Sequence, residues 1–221
     1  MGIAFDLDGT LVDSTPDLLA AINAVLAKYN LPLSDKQENL TLAGGGLMAM
    51  FSSTVEKRIP TSSVEKKEQL ISEMLGLYML DPATLTVAFP GVLSLLEAIQ
   101  KQGTPICVIS NKLAALTEKI LHTLFPSVCF SKVYGIDSGF EPKPDSSSLL
   151  DFKRSLPTGE ELIYVGDTEI DYKTAHGVAD RVYLATWGYR GLEALQREGL
   201  DEHLMVSDTA QLACALGVTI S

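Results

Sequence analysis

Basic residues are scarce in this 221-residue chain. It has 17 lysines and arginines against 28 aspartates and glutamates, a net charge of −11. Without a basic face there is no electrostatic footprint for nucleic acid or an anionic membrane surface, so neither is expected as a partner. Cysteine is sparse too. Cys107, Cys129 and Cys214 are odd in number, widely spaced and free of CxxC or Cys/His metal patterns, which points to reduced thiols rather than disulfides or zinc. No apolar run approaches the roughly 18–20 residues that cross a bilayer, and the first residues show no basic segment leading into an apolar one. A cytoplasmic location is the resulting expectation. Nothing in the sequence sets an oligomeric state. The acidic balance also means that any anion-handling site must gather cations, or a metal ion, locally.

Short apolar runs bounded by turn signals are plentiful: "GIAFDLD" (2–8), "TPICVIS" (104–110), "SKVYGI" (131–136), "ELIYVGD" (161–167) and "DRVYLAT" (180–186). Each has the length and β-branched or aromatic content of a buried strand. Between them, "PGVLSLLEAIQKQG" reads as a helix ended by Gly103, and "LAALTEKILHTLF" as one stopped by Pro126. Alternation of this kind predicts an α/β fold, a doubly wound parallel sheet with helices on both faces. Residues 15–88 break the rhythm with helical segments alone. "STPDLLAAINAVLAKYN" has Ser14 as a candidate cap with Asp17 three residues on, and "SSVEKKEQLISEMLGLYML" follows later. The expected organisation is a core of 1–14 and 89–221 with a helical domain, 15–88, inserted after the first strand.

Ligands of open parallel sheets bind at the carboxyl ends of the strands. Those ends carry Asp6, Asp8, Gly9 and Thr10, then Ser110 and Asn111, then Lys143, then Asp167 and Asp171. Asp6 and Asp8 lie two apart, on one face of an extended chain, where like charges repel unless a proton or cation intervenes. Mg²⁺ accepts a few carboxylates and keeps waters, and Asp6, Asp8 and Asp167 would supply them. One carboxylate facing a phosphoryl group can act as nucleophile, and a second can exchange the proton of the leaving oxygen. Ser110, Asn111 and Lys143 would stabilise the phosphoryl oxygens. Simpler roles exist for each: turn formation for Asp-Gly, capping for Ser110 and Asn111, a solvated loop for Lys143, and helix N-terminus effects for Asp167 and Asp171. Lys57 and Arg58 are the nearest cations of the inserted segment and read as surface residues. Trp187 and Tyr189 read as packing residues.

"DLDGT" after a strand, Ser110 at the end of the second, Lys143 in "KP" and "GDTEID" together resemble the haloacid dehalogenase-like hydrolases over essentially the whole core. The insertion after "DLDGT" is similar to the family's C1-type helical cap, and the tail containing "WGY" is similar to the phosphoglycolate phosphatase branch. The resemblance implies Asp6 as nucleophile, Asp8 as general acid/base, Ser110 and Lys143 as phosphate ligands, and Asp167 completing a Mg²⁺ shell. In this pattern Asp8 can serve the metal through its backbone carbonyl. Asp171 would be a neighbour that orients Lys143 or a metal-bound water.

The activity implied is Mg²⁺-dependent hydrolysis of a small phosphorylated substrate through an aspartyl-phosphate. The alternatives are a phosphomutase similar to β-phosphoglucomutase, a phosphatase for nucleotides or pyrophosphate, and a non-catalytic binding protein. The sequence departs from the branch in three places. The segment "NLTLAGGG" carries no arginine, the stretch at Lys143 reads "KPDS" without the frequent second proline, and Ala179-Asp180 stand where glycine is usual. The glycines of "AGGG" (43–46) suit either a mobile lid or an interhelix turn.

Overall fold

The computed structural model describes residues 1–38 and 46–220. It divides into two compact units, one of Met1–Asp13 with Ala88–Ser221, the other of Ser14–Val87. In the first unit, strands β1 (Gly2–Phe5), β4 (Ile106–Ile109), β5 (Lys132–Tyr134), β6 (Leu162–Gly166), β7 (Arg181–Ala185) and β8 (Met205–Val206) form one sheet in the order β5-β4-β1-β6-β7-β8. Every pairing is parallel. Two short strands, β2 (Val12–Asp13) and β3 (Val87–Ala88), form a separate pair. The α/β, doubly wound reading of the sequence is the fold observed.

All four residues of β1, all four of β4 and all five of β6 are buried. That is why these runs are continuously apolar rather than alternating. On one face Ala4, Cys107, Ile109, Tyr164, Leu149 and Phe152 belong to a single core cluster. Pairing of Phe5 with both Val108 and Val165 fixes the register of the central three strands. Strand order reverses at β1: the chain adds β4 and β5 on one side, then β6, β7 and β8 on the other. The crevice beyond the carboxyl end of β1 is therefore the switch point, where such sheets take ligands. β8 has two residues, too few for a sequence pattern to register.

The second unit contains α1 (Thr15–Lys28), α2 (Leu47–Arg58) and α3 (Val64–Leu80), with Ser63 capping α3 through the Lys66 N–H. Ile22, Val25, Leu26, Phe51, Val55, Leu70, Met74 and Tyr78 are among its buried apolar residues. The expected cap at the start of α1 is not made. Ser14 has helical dihedrals, φ −92° and ψ −1°, and no side-chain capping bond. The Asp17 carboxylate instead accepts from the Leu85 N–H (3.0 Å), the Thr86 N–H (2.7 Å) and the Thr86 hydroxyl (2.6 Å). Three donors brought from 68 and 69 residues away outcompete a local contact.

Arg58 also differs from expectation. Lys57 is exposed, but the Arg58 side chain is 6% exposed and makes a two-point contact with Glu38 at 2.9 and 2.7 Å. It donates further to the Pro32 and Leu33 carbonyls. This cation holds a loop rather than facing solvent. Most of the glycine segment, residues 39–45, lies outside the described residues, as does the arginine-lacking stretch "NLTLA" with it.

Candidate active site

Asp6 directly follows β1, its N–H donating to the Val165 carbonyl at 2.9 Å. This continues the ladder with β6 and puts a carboxylate where the apolar run ends. The Lys143 Nζ donates to Asp6 Oδ1 at 2.6 Å and to Asp171 Oδ1 at 2.7 Å. All three side chains are at most 8% exposed. Asp167 follows β6 and is fully buried. One carboxylate oxygen from each of Asp6, Asp167 and Asp171 lies within 4.8 Å of the others.

Neighbouring glycines make room for this crowding. Gly9 has φ +93°, and a Cβ on Gly9 or on Gly188 would overlap Asp167. A Cβ on Gly166 would overlap Asp171. Asp171 doubles as the third residue of helix α7 (Glu169–Ala175), closing a capping box with Thr168. Its Oδ2 accepts from the Thr168 hydroxyl at 2.6 Å, and its Oδ1 also from the Tyr164 phenol at 3.0 Å.

The electrostatics follow from burial and from a shortage of positive charge. Burial, against the pull of Lys143, raises the Asp6 carboxyl to about 7, with Asp171 and Asp8 adding repulsion. Burial again, then Asp171 and Asp6, push Asp167 well above the carboxylate range. Burial would raise Asp171 as well, but the Lys143 charge and the hydrogen bonds from Lys143, Thr168 and Tyr164 outweigh it and hold it low. For Lys143 burial acts downward, and Asp171 and Asp6 overcome it. One lysine among three buried carboxylates leaves the cluster deficient in positive charge. Asp171 is bound to Lys143, Thr168 and Tyr164, so Asp6 and Asp167 are the acids with chemistry suited to a hard divalent cation.

The other expected site residues fall around this cluster with different partners. The Asp8 carboxylate accepts from Lys112 Nζ at 2.8 Å and does not belong to the acid cluster. Ser110 sits buried at the end of β4, its N–H on the Tyr134 carbonyl and its Oγ accepting from the Lys112 N–H at 3.2 Å. Asn111, expected to face phosphate, directs its amide at the backbone of Lys143: Nδ2 donates to the Lys143 carbonyl at 3.0 Å and Oδ1 accepts from the Lys143 N–H at 2.8 Å. Neither Ser110 nor Asn111 caps α5 (Ala114–Leu124). Leu113 stands at that position, and Asp137 takes the Ala114 N–H.

Several members of the site carry no assigned role in the sequence reading, Thr10 among them although it stands at a strand end. Lys112, with its side chain 2% exposed, pairs with Asp8 from 104 residues away, a contact that no local pattern marks. Thr10 approaches Asp167 Oδ1 at 3.4 Å, and the Tyr189 N–H donates to Asp167 Oδ2 at 2.8 Å. The Trp187 indole N–H donates to the Thr10 carbonyl at 3.1 Å. "WGY" is thus a support for the Asp167 carboxylate as well as a packing segment. Its available signal was the glycine between two bulky aromatics.

The sequence profile of the haloacid dehalogenase-like hydrolases matches residues 3–183. The chain belongs to this family. Among its relatives is a phosphoglycolate phosphatase of Cereibacter sphaeroides, 32% identical over 204 residues, 91% of this chain and 93% of that one. Another, from Aquifex aeolicus, is 30% identical over 188 residues, 85% of each chain. The crystal structure of a predicted phosphoglycolate phosphatase from Haemophilus somnus superposes with a TM-score of 0.85 at 26% identity, covering 97% of both chains. Within the haloacid dehalogenase-like hydrolases the chain stands on the phosphoglycolate phosphatase-like branch and is a phosphatase-type enzyme. Among the described residues no helix is long and apolar enough to cross a membrane.

Proposed function

We propose that this haloacid dehalogenase-like protein hydrolyses small phosphate monoesters through an aspartyl-phosphate on Asp6. Mg²⁺ would be held by the carboxylates of Asp6 and Asp167 and the backbone of Asp8. The observation that carries the reading is the buried Asp6 carboxylate at the switch point, 2.6 Å from Lys143 and grouped with Asp167. A carboxylate so placed is at once a nucleophile and a metal ligand. Phosphoglycolate, named for the Cereibacter and Aquifex relatives, is the first substrate to test.

In the first step an Asp6 oxygen bonds to phosphorus while the ester P–O bond breaks, and Asp8 gives its proton to the leaving oxygen. In the second, a water gives a proton to Asp8 and attacks phosphorus. The bond between phosphorus and the Asp6 oxygen breaks, and inorganic phosphate leaves. Lys143 and Ser110 stabilise charge on the phosphoryl oxygens in both steps. Bound Mg²⁺ supplies the charge neutralisation that lets an anionic nucleophile approach an anionic phosphoryl group. Asp171 keeps Lys143 ionised and aimed at Asp6. The helical unit, Ser14–Val87, follows the segment that carries Asp6 and Asp8, as the C1-type caps of the family do.

The test is a panel of phosphate esters, including phosphoglycolate, a hexose 1-phosphate and p-nitrophenyl phosphate, assayed with Mg²⁺ and with chelator. Release of phosphate is expected, lost on chelation and restored by Mg²⁺. Asp6→Asn should lower kcat by about 10³-fold or more. Turnover that survives either change overturns the mechanism, and isomerisation of the hexose phosphate without phosphate release would make the enzyme a mutase.

A further inference from the structure

Three consecutive residues after β4 have different partners: Ser110 the Lys112 N–H, Lys112 the Asp8 carboxylate, and between them Asn111 the backbone of Lys143. The Asn111 amide makes two antiparallel hydrogen bonds to the backbone of one residue of another segment, the N–H and the carbonyl of Lys143. This is the pattern by which one strand registers another, supplied here by a side chain. Lys143 needs such a brace. Its loop carries no regular structure around it, with Asp145 turning back through its N–H to the Pro142 carbonyl. Its Nζ must also reach two carboxylates at 2.6 and 2.7 Å.

We propose that Asn111 is a positioning residue for the phosphate-binding lysine. It ties the Lys143 backbone to the end of β4, so that the ammonium group reaches Asp6 and the transferring phosphoryl group together. The inference rests on the function proposed above. It departs from the sequence expectation that Asn111 itself binds phosphate. Both of its polar atoms are engaged by Lys143, so deleting the amide acts on phosphate through the lysine. Misplacement of a reacting group by about 1 Å can cost on the order of 10²-fold in rate.

The experiment is a double-mutant cycle with Asn111→Ala and Lys143→Met, read as kcat/KM for the best ester and as affinity for inorganic phosphate by calorimetry. Asn111→Ala alone should lower kcat by about 10- to 100-fold with a smaller change in KM, and should weaken phosphate binding. In the Lys143→Met background the same change should have less than about a 2-fold effect on either readout. Asn111→Leu, which keeps the branched shape and removes both hydrogen bonds, should behave like Asn111→Ala. Effects that multiply across the two positions would make Asn111 a direct phosphate ligand and overturn the proposal. Loss of folding in both Asn111 variants would assign it a purely structural role and overturn it equally. If the wild-type enzyme releases phosphate from no ester, the proposed function has failed. If wild type is active and the cycle shows no coupling, the positioning role alone has failed.

Discussion

Gly188 stands where any side chain would strike Asp167 and the Gly9 carbonyl. Backbone and a buried acid cannot yield as a flexible side chain can, so Gly188→Ala must displace one or the other. The Tyr189 N–H that holds Asp167 Oδ2 would move with it. A loss of roughly 1–3 kcal/mol in stability is expected, the usual cost of overpacking, together with a fall in kcat of about 10²-fold. Urea unfolding and steady-state kinetics on the same preparation would read both. Wild-type kinetics in Gly188→Ala would show that the segment does not hold Asp167. The residue was legible only in part: "WGY" marks a branch of the family, yet nothing local says that its glycine backs an acid 21 positions earlier.

At the scale of elements, strands and helices were read well where the pattern was long and apolar. The run "ICVI" is a strand for the reason the sequence gives, four residues buried on both faces. α1 starts where expected, at Thr15 after Ser14, but its side-chain cap is not made, because Asp17 has partners at Leu85 and Thr86, beyond the reach of a local capping rule. Arg58, expected at the surface, departs from expectation for a similar reason. Arg58 lies in the last turn, where cations are ordinary, but its guanidinium ties Pro32, Leu33 and Glu38 together. Arg58→Met should therefore destabilise by roughly 2–4 kcal/mol, because a partly buried carboxylate and two carbonyls lose their donor. The effect should depend on pH. Hydrogen bonds from Arg58, with Ser34 and Lys57 adding, hold the Glu38 carboxyl well below its ordinary value. A lowered folded value contributes stability that is present above the unfolded pKa of about 4.3 and lost as pH falls towards the folded one. The gap between wild type and Arg58→Met should shrink from pH 7 to pH 3 in denaturant titrations. A gap unchanged with pH would remove the carboxylate from the account.

For the molecule as a whole, the acid cluster sets stability against chemistry. Burial and neighbouring carboxylates push Asp167 well above the carboxylate range, so without metal the folded state carries a repulsion that a neutral side chain would relieve. Asp167→Asn should raise metal-free stability by about 1 kcal/mol, the size typical of such relief at active sites. Wild type should gain stability with Mg²⁺ by mass action, about 2.7 kcal/mol at a hundredfold excess over Kd, and the variant should gain little. Thermal unfolding with and without Mg²⁺ checks both, and a variant that responds to Mg²⁺ as wild type does would remove Asp167 from the metal shell.

The sequence by itself determined the alternating architecture, the family and the acids at the strand ends. These depend on period, run length and turn chemistry, which neighbouring residues express locally. It also placed Asp6 correctly at the end of β1, because the apolar run stops where the strand does. Only the tertiary structure decided what each side chain faces. Lys112 reaches Asp8 across 104 residues, Lys143 reaches Asp6 across 137, and Asn111 grips the Lys143 backbone across 32. Such pairings arise from the order in which strands β4, β1 and β6 lie side by side. Strand order is fixed by packing of the whole sheet, and no local stretch of sequence contains it.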